Sequence, residues 1–174
     1  MLLGTDKYGR TAWNEAAGSG NSETLQKVWE CAKDALTKEE LRKLLLNTNE
    51  DGNTAWNEAA ESRNSETLQK VWECAKEILT KEELSKLLLS INKEGNTAWN
   101  EAAERGNSEK FQKGCQCAKE ILTKGELSKL LLGKDQFGRT AWNQAAGSGN
   151  SETLQKLWQC VKRYKLKRSV VNCY

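Results

Sequence analysis

One spacing constrains this chain more than any other property: Trp13, Trp56, Trp99 and Trp142 lie 43 residues apart, as do Gly9, Gly52, Gly95 and Gly138. The text around each tryptophan recurs as GRTAWNEAA, GNTAWNEAA, GNTAWNEAA and GRTAWNQAA, and residues 9–51 match 52–94 at 33 of 43 positions. A unit this short cannot bury an apolar face alone, so such units must stack, each covering its neighbour. The chain divides into a repeat array over 1–162 and a basic tail over 163–174; the units are 9–51, 52–94, 95–137 and an incomplete 138–162. Met1-Leu-Leu-Gly-Thr-Asp6 aligns with Leu130-Leu-Leu-Gly-Lys-Asp135, and the fourth unit leaves the pattern after Lys162. Both observations lead us to expect a piece of a longer array or a truncated product.

Within a unit the apolar residues fall at helical period. A short first helix begins after Thr11 or its equivalents, whose hydroxyl suits an N-cap. A second opens at Asn21-Ser22 and carries Leu25, Val28, Trp29, Ala32, Ala35 and Leu36 as one stripe. Thr37-Lys-Glu-Glu40 then forms a capping box ahead of Leu41, Leu44 and Leu45, and the box recurs at Thr80/Glu83 and Thr123/Glu126. The pattern predicts an all-α fold, a helical solenoid whose units are joined by short turns.

The segment Asp6-Lys-Tyr-Gly9-Arg-Thr11-Ala-Trp-Asn-Glu-Ala16-Ala17-Gly-Ser-Gly20-Asn-Ser-Glu23, repeated from Asp135, resembles the ankyrin repeat. The resemblance covers residues 5–162 in four units. It departs from the family pattern at Ala12, Ala55, Ala98 and Ala141 in place of proline, at the tryptophans in place of leucine, and at Asn14, Asn57, Asn100 and Asn143 in place of histidine. Each unit also exceeds the family's usual length by about ten residues. The surplus is the Leu-rich segment, an extra helix or a lengthened outer one. The resemblance implies finger loops and a concave edge that contact partner proteins.

Composition narrows the chemistry. The chain contains no His and no Pro, which removes His-dependent hydrolytic machinery, His-ligated zinc and imidazole acid/base catalysis. Gly18-Ser-Gly20 lacks the preceding strand and the Walker lysine of a phosphate loop, and reads as an inter-helix turn. Cys31, Cys74, Cys117 and Cys160 share one repeat position. Equivalent helices stack about 8–10 Å apart, beyond the ~7 Å Cα limit for a disulfide, so these cysteines read as small, reduced hydrophobes. Cys115-Gln-Cys117 is not a CxxC pair, and residues two apart on a helix diverge. Unit 3 places Gly114-Cys115 where the others have Val-Trp or Leu-Trp, and is expected to be the least stable internal unit. No cofactor, metal or small-molecule substrate is expected.

The variable residues carry the functional expectation. They cluster before the invariant glycine, at Lys7, Tyr8, Glu50, Asp51, Lys93, Glu94, Gln136 and Phe137, and after the first helix, at Glu61, Arg63, Glu104 and Arg105. Loops on a rigid scaffold commonly carry function, and aromatics there suit interface anchors. Neutral drift at solvent-facing positions is the plain alternative. The tail holds Lys162, Arg163, Lys165, Lys167 and Arg168 without an acid; taking those five from the chain's +3 leaves −2. It resembles a short nuclear-localisation run, equally a solvated helix end, and 162–168 is the one place suited to nucleic acid or anionic membrane. With no long apolar run and no signal peptide, we expect a monomeric, non-enzymatic, intracellular protein-binding scaffold, cytoplasmic or nuclear.

Overall fold

Threonine caps punctuate the chain, and the helices fall between them. A computed structural model describes residues 2–163, and among these the protein is all-helical. Unit 1 contains α1 (Ala12–Ser19), α2 (Ser22–Ala35) and α3 (Lys38–Leu46); unit 2 contains α4 (Ala55–Glu61), α5 (Ser65–Ile78) and α6 (Lys81–Leu88). Unit 3 contributes α7 (Ala98–Glu104), α8 (Ser108–Ile121) and α9 (Lys124–Leu132), and unit 4 α10 (Ala141–Gly147) and α11 (Ser151–Arg163). The Leu-rich segment is a separate helix, because Leu36, Leu79 and Leu122 end the second helix in extended conformation and the next residue, a threonine, starts a new cap. None of the described helices is long and apolar enough to cross a membrane.

The asparagine that follows each tryptophan has a local task. In all four units its Oδ1 accepts from the N–H of the capping threonine, at 3.1 Å for Asn14, Asn57 and Asn100 and 2.9 Å for Asn143. Thr-x-x-Asn is therefore a capping box, with Asn in place of the usual Glu or Gln.

First helices pack on first helices, α1 on α4 on α7 on α10, and second helices likewise, α2 on α5 on α8 on α11. The third helices α3 and α6 lean on α5 and α8 of the following unit. Tilted tryptophan pairs fill the space between first and second helices, with ring centroids 5.3 Å apart for Trp13–Trp29 and 5.6 Å for Trp56–Trp72. Unit 3 solves the same problem differently. Trp99 meets Phe111 edge-on at 5.1 Å, and a Cβ on buried Gly114 would lie 3.1 Å from Trp99 Cζ3. Trp99 thus packs directly on the glycine, and Phe111, at the position of Leu25 and Leu68, supplies the second ring.

Candidate functional site

The turns before each first helix are built on one repeat position, held by Asp or Asn. Asp6, Asn49, Asn92 and Asp135 each accept two backbone N–H groups on Oδ1, those of Tyr8 and Arg10, Asp51 and Asn53, Glu94 and Asn96, and Phe137 and Arg139. These Asx turns close each finger, and the glycine at the bend, Gly52 for example, takes φ of +79°. The fingers are then tied to one another: the Glu50 N–H donates to the Tyr8 carbonyl, Lys93 to Asp51, and Gln136 to Glu94, each at 2.8 Å. All eight variable tip residues are exposed, on a line of backbone held by bonds between units.

Two tips end in aromatic rings. Tyr8 is 47% exposed and Phe137 69%, and each is braced by a guanidinium of its own finger, Arg10 at 4.9 Å and Arg139 at 5.1 Å from the ring centroid. Lys7 Nζ also stands 4.7 Å from the Tyr8 centroid, and cations held over a ring restrain its orientation.

Behind the middle fingers lies a groove of about 580 Å³ lined by Asp51, Glu61, Glu94, Glu101 and Glu104, with Lys93 and Arg105 as its cations. Arg105 bridges to Glu61 at 2.7 Å across the two units. Glu101 sits deepest, 6% exposed, and accepts from Asn92 Nδ2 at 3.4 Å. Burial, then repulsion from Glu61 and Glu104, pushes its pKa up to about 7. Glu58, one unit earlier, is raised for the same leading reason and accepts from Asn49 at 2.8 Å. Glu15, Glu58, Glu101 and Gln144 share one repeat position, three residues before the variable Gly18, Glu61, Glu104 and Gly147. Our sequence reading named the outer row and missed the inner one, whose signal was the single change of acid to amide at Gln144.

The groove gathers Asp51, Glu61, Lys93, Glu94, Glu104 and Arg105; Arg63 is exposed and lies apart from it. Arg63 stands where Gly20, Gly106 and Gly149 adopt left-handed backbone at the end of the first helix. Without that glycine, α4 ends at Ser62 in extended conformation, and the Ala59, Ala60 and Ser62 carbonyls turn elsewhere. They turn to Lys110, which replaces the threonine of the other units and is 1% exposed. Its Nζ donates to Ala59 at 2.8 Å, to Ala60 at 3.0 Å, to the Ser62 carbonyl and to Ser62 Oγ at 3.1 Å. An ammonium at a helix C-terminus is well placed electrostatically, although burial pulls its pKa down to about 8.

Of the basic run, Lys162 and Arg163 are exposed in the last turn of α11, where Lys162 stands 5.1 Å from the centroid of the Trp158 ring. Lys165, Lys167 and Arg168 lie outside the described residues. Compared with known proteins, the chain matches no family model and no curated sequence.

Proposed function

We propose that this protein is a non-catalytic, ankyrin-like solenoid that binds a partner protein along its fingers and the groove behind them. The observation that carries the reading is the trio of 2.8 Å inter-finger hydrogen bonds. They hold the residues that vary between units in one pre-ordered line, so little conformational entropy is lost when a partner docks there. The variable residues ride on an invariant frame, as expected of a surface that can change its partner without changing its fold. The groove adds a chemical preference. Five carboxylates against two cations, in a chain whose net charge is +3, favour a partner that inserts basic side chains. Tyr8 and Phe137 supply apolar anchors at the two ends of the line. The protein works as a single chain inside the cell, in the cytoplasm or nucleus, without a cofactor or small-molecule substrate.

The competing reading is an inert folded part directed by its basic tail, supported by the Lys162–Trp158 stack at the exposed end of α11. Affinity capture with the full chain, with Tyr8→Ala/Phe137→Ala, and with a chain lacking 162–174 separates the two. A partner lost by the double alanine variant and kept by the truncated chain supports finger binding. The reverse pattern assigns the interaction to the tail.

A further inference from the structure

The second helices of neighbouring units are joined by an ion-pair ladder whose last step has lost its acid. Lys33 of α2 pairs with Glu77 of α5 at 3.6 Å, and Lys76 of α5 with Glu120 of α8 at 3.1 Å. In the same register Lys119 of α8 should meet position 163 of α11, which is Arg163 where unit 1 has Asp34 and units 2 and 3 have those glutamates. A second acidic position changes with it, because Glu30 and Glu73 give way to Gln116 and Gln159. In units 1 and 2 that glutamate accepts from the amide of Gln26 or Gln69, each at 3.0 Å. Gln112 of unit 3 has another amide at the corresponding place.

The same step also loses bulk. The Trp29 indole donates to Glu77 at 3.2 Å across the first step, whereas unit 3 has the smaller Cys115 at that position. Between α8 and α11 there is accordingly an open groove of about 210 Å³, lined by Lys119, Lys156 and Arg163 among the glutamines, with no carboxylate among its described lining residues. Glu120, beside Lys119 in the chain, is engaged by Lys76 of the preceding unit.

We propose that this groove is a second binding site, which takes a phosphorylated side chain of a partner other than the one on the fingers. Three cations without an acid favour a doubly charged phosphate over a single carboxylate, since the attraction scales with the charge of the group received. The Arg163 guanidinium offers paired donors to phosphate oxygens, the lysines act as point charges, and the glutamine amides add neutral donors. The volume suits one such group, being below the roughly 300–1,000 Å³ of pockets that enclose a drug-sized ligand. A continuous polyanion fits less well. Glu30, Asp34, Glu73, Glu77 and Glu120 are exposed along the same layer of second helices, so a nucleic-acid backbone or anionic bilayer laid across it meets repulsion in the neighbouring units. A single phosphate stays within the one step that lacks acids.

The test titrates the isotope-labelled full chain with O-phosphoserine at fixed ionic strength and follows backbone amide signals by NMR. The expected shifts fall in residues 112–119 and 156–163, and serine or glutamate at the same concentration does not reproduce them. Arg163→Glu, which restores the acid of units 2 and 3, should weaken binding about tenfold or more. Gln159→Glu should weaken it in the same direction, and Tyr8→Ala/Phe137→Ala should bind as the wild type does, because the groove works independently of the fingers. Circular dichroism of each variant should match the wild type, since the acids introduced already stand at these positions in other units. The proposal is overturned if phosphoserine moves those amides no more than glutamate does, or if Arg163→Glu binds as tightly as the wild type. It is equally overturned if phosphoserine is inert while an oligonucleotide or a phosphatidate vesicle binds.

Discussion

Lys110 donates from Nζ to the carbonyl of Ala59 at 2.8 Å, reaching from the second helix of unit 3 to the end of the first helix of unit 2. Two substitutions in neighbouring units are thereby coupled, since Arg63 removes a glycine cap and Lys110 takes up the carbonyls that the cap would have turned. Lys110→Thr restores the residue of the other units but takes the ammonium from the Ala60 and Ser62 carbonyls, leaving Ala59 only the Ser62 hydroxyl at 2.8 Å, at a cost of about 1–3 kcal/mol. In an Arg63→Gly background the same change should cost less, with a coupling energy of roughly 0.5–3 kcal/mol. A double-mutant cycle by urea denaturation measures it, and strict additivity would show the two positions to be independent.

Glu101 gives the fold a pH dependence with a definite sign. The folded chain retains this proton up to about 7, against an ordinary value of 4.5, so between those limits the folded state binds more protons than the unfolded one. Stability contributed by the protonated carboxyl is then present in full below the lower value and declines as pH rises through the window. Glu101→Gln, the residue already found at 144, should remove that decline and stabilise the protein at neutral pH by about 1–3 kcal/mol. Urea midpoints of both proteins across the window check it; parallel curves contradict it.

The finger glycines separate conformational strain from crowding. Gly95 and Gly138 have φ of +80° and +75°, but a Cβ on Gly95 would lie 3.2 Å from the Asp135 backbone, whereas one on Gly138 meets nothing within 4 Å. Gly138→Ala should cost about 1–2 kcal/mol from left-handed backbone alone. Gly95→Ala should cost about 1–3 kcal/mol more from overpacking. Thermal unfolding of the two variants side by side reads the difference.

Gly114 tests how unit 3 repacked. Sequence alone says that Val, as in units 1 and 2, should fill a hole and stabilise α8. With Trp99 Cζ3 standing 3.1 Å from where its Cβ would be, Gly114→Val should instead destabilise by about 1–3 kcal/mol. A gain in the denaturation midpoint would mean that the ring yields freely.

Much of the local structure was legible because each signal lies within one unit. Thr37 and Glu40 announce their helix in four consecutive letters, and the exposure of Tyr8 and Phe137 follows from their place before a turn glycine. What was not legible lies between units. Nothing adjacent to Lys110 in sequence reveals that its partners are 48 to 51 residues earlier. The asparagines were read as replacements for histidine, although Thr-x-x-Asn carried the capping information. The inner carboxylate row escaped because its residues hardly vary, and the search for function followed variation.

The central claim is that partners bind along the bonded fingers and the acidic groove. Hydrogen exchange of the captured complex against the free chain tests it most directly. The account predicts added protection over residues 49–53, 92–96 and 135–139, together with the first helices that line the groove, and unchanged exchange at the end of α11. Added protection confined to α11 and the residues after it, with the fingers exchanging as in the free chain, would contradict it.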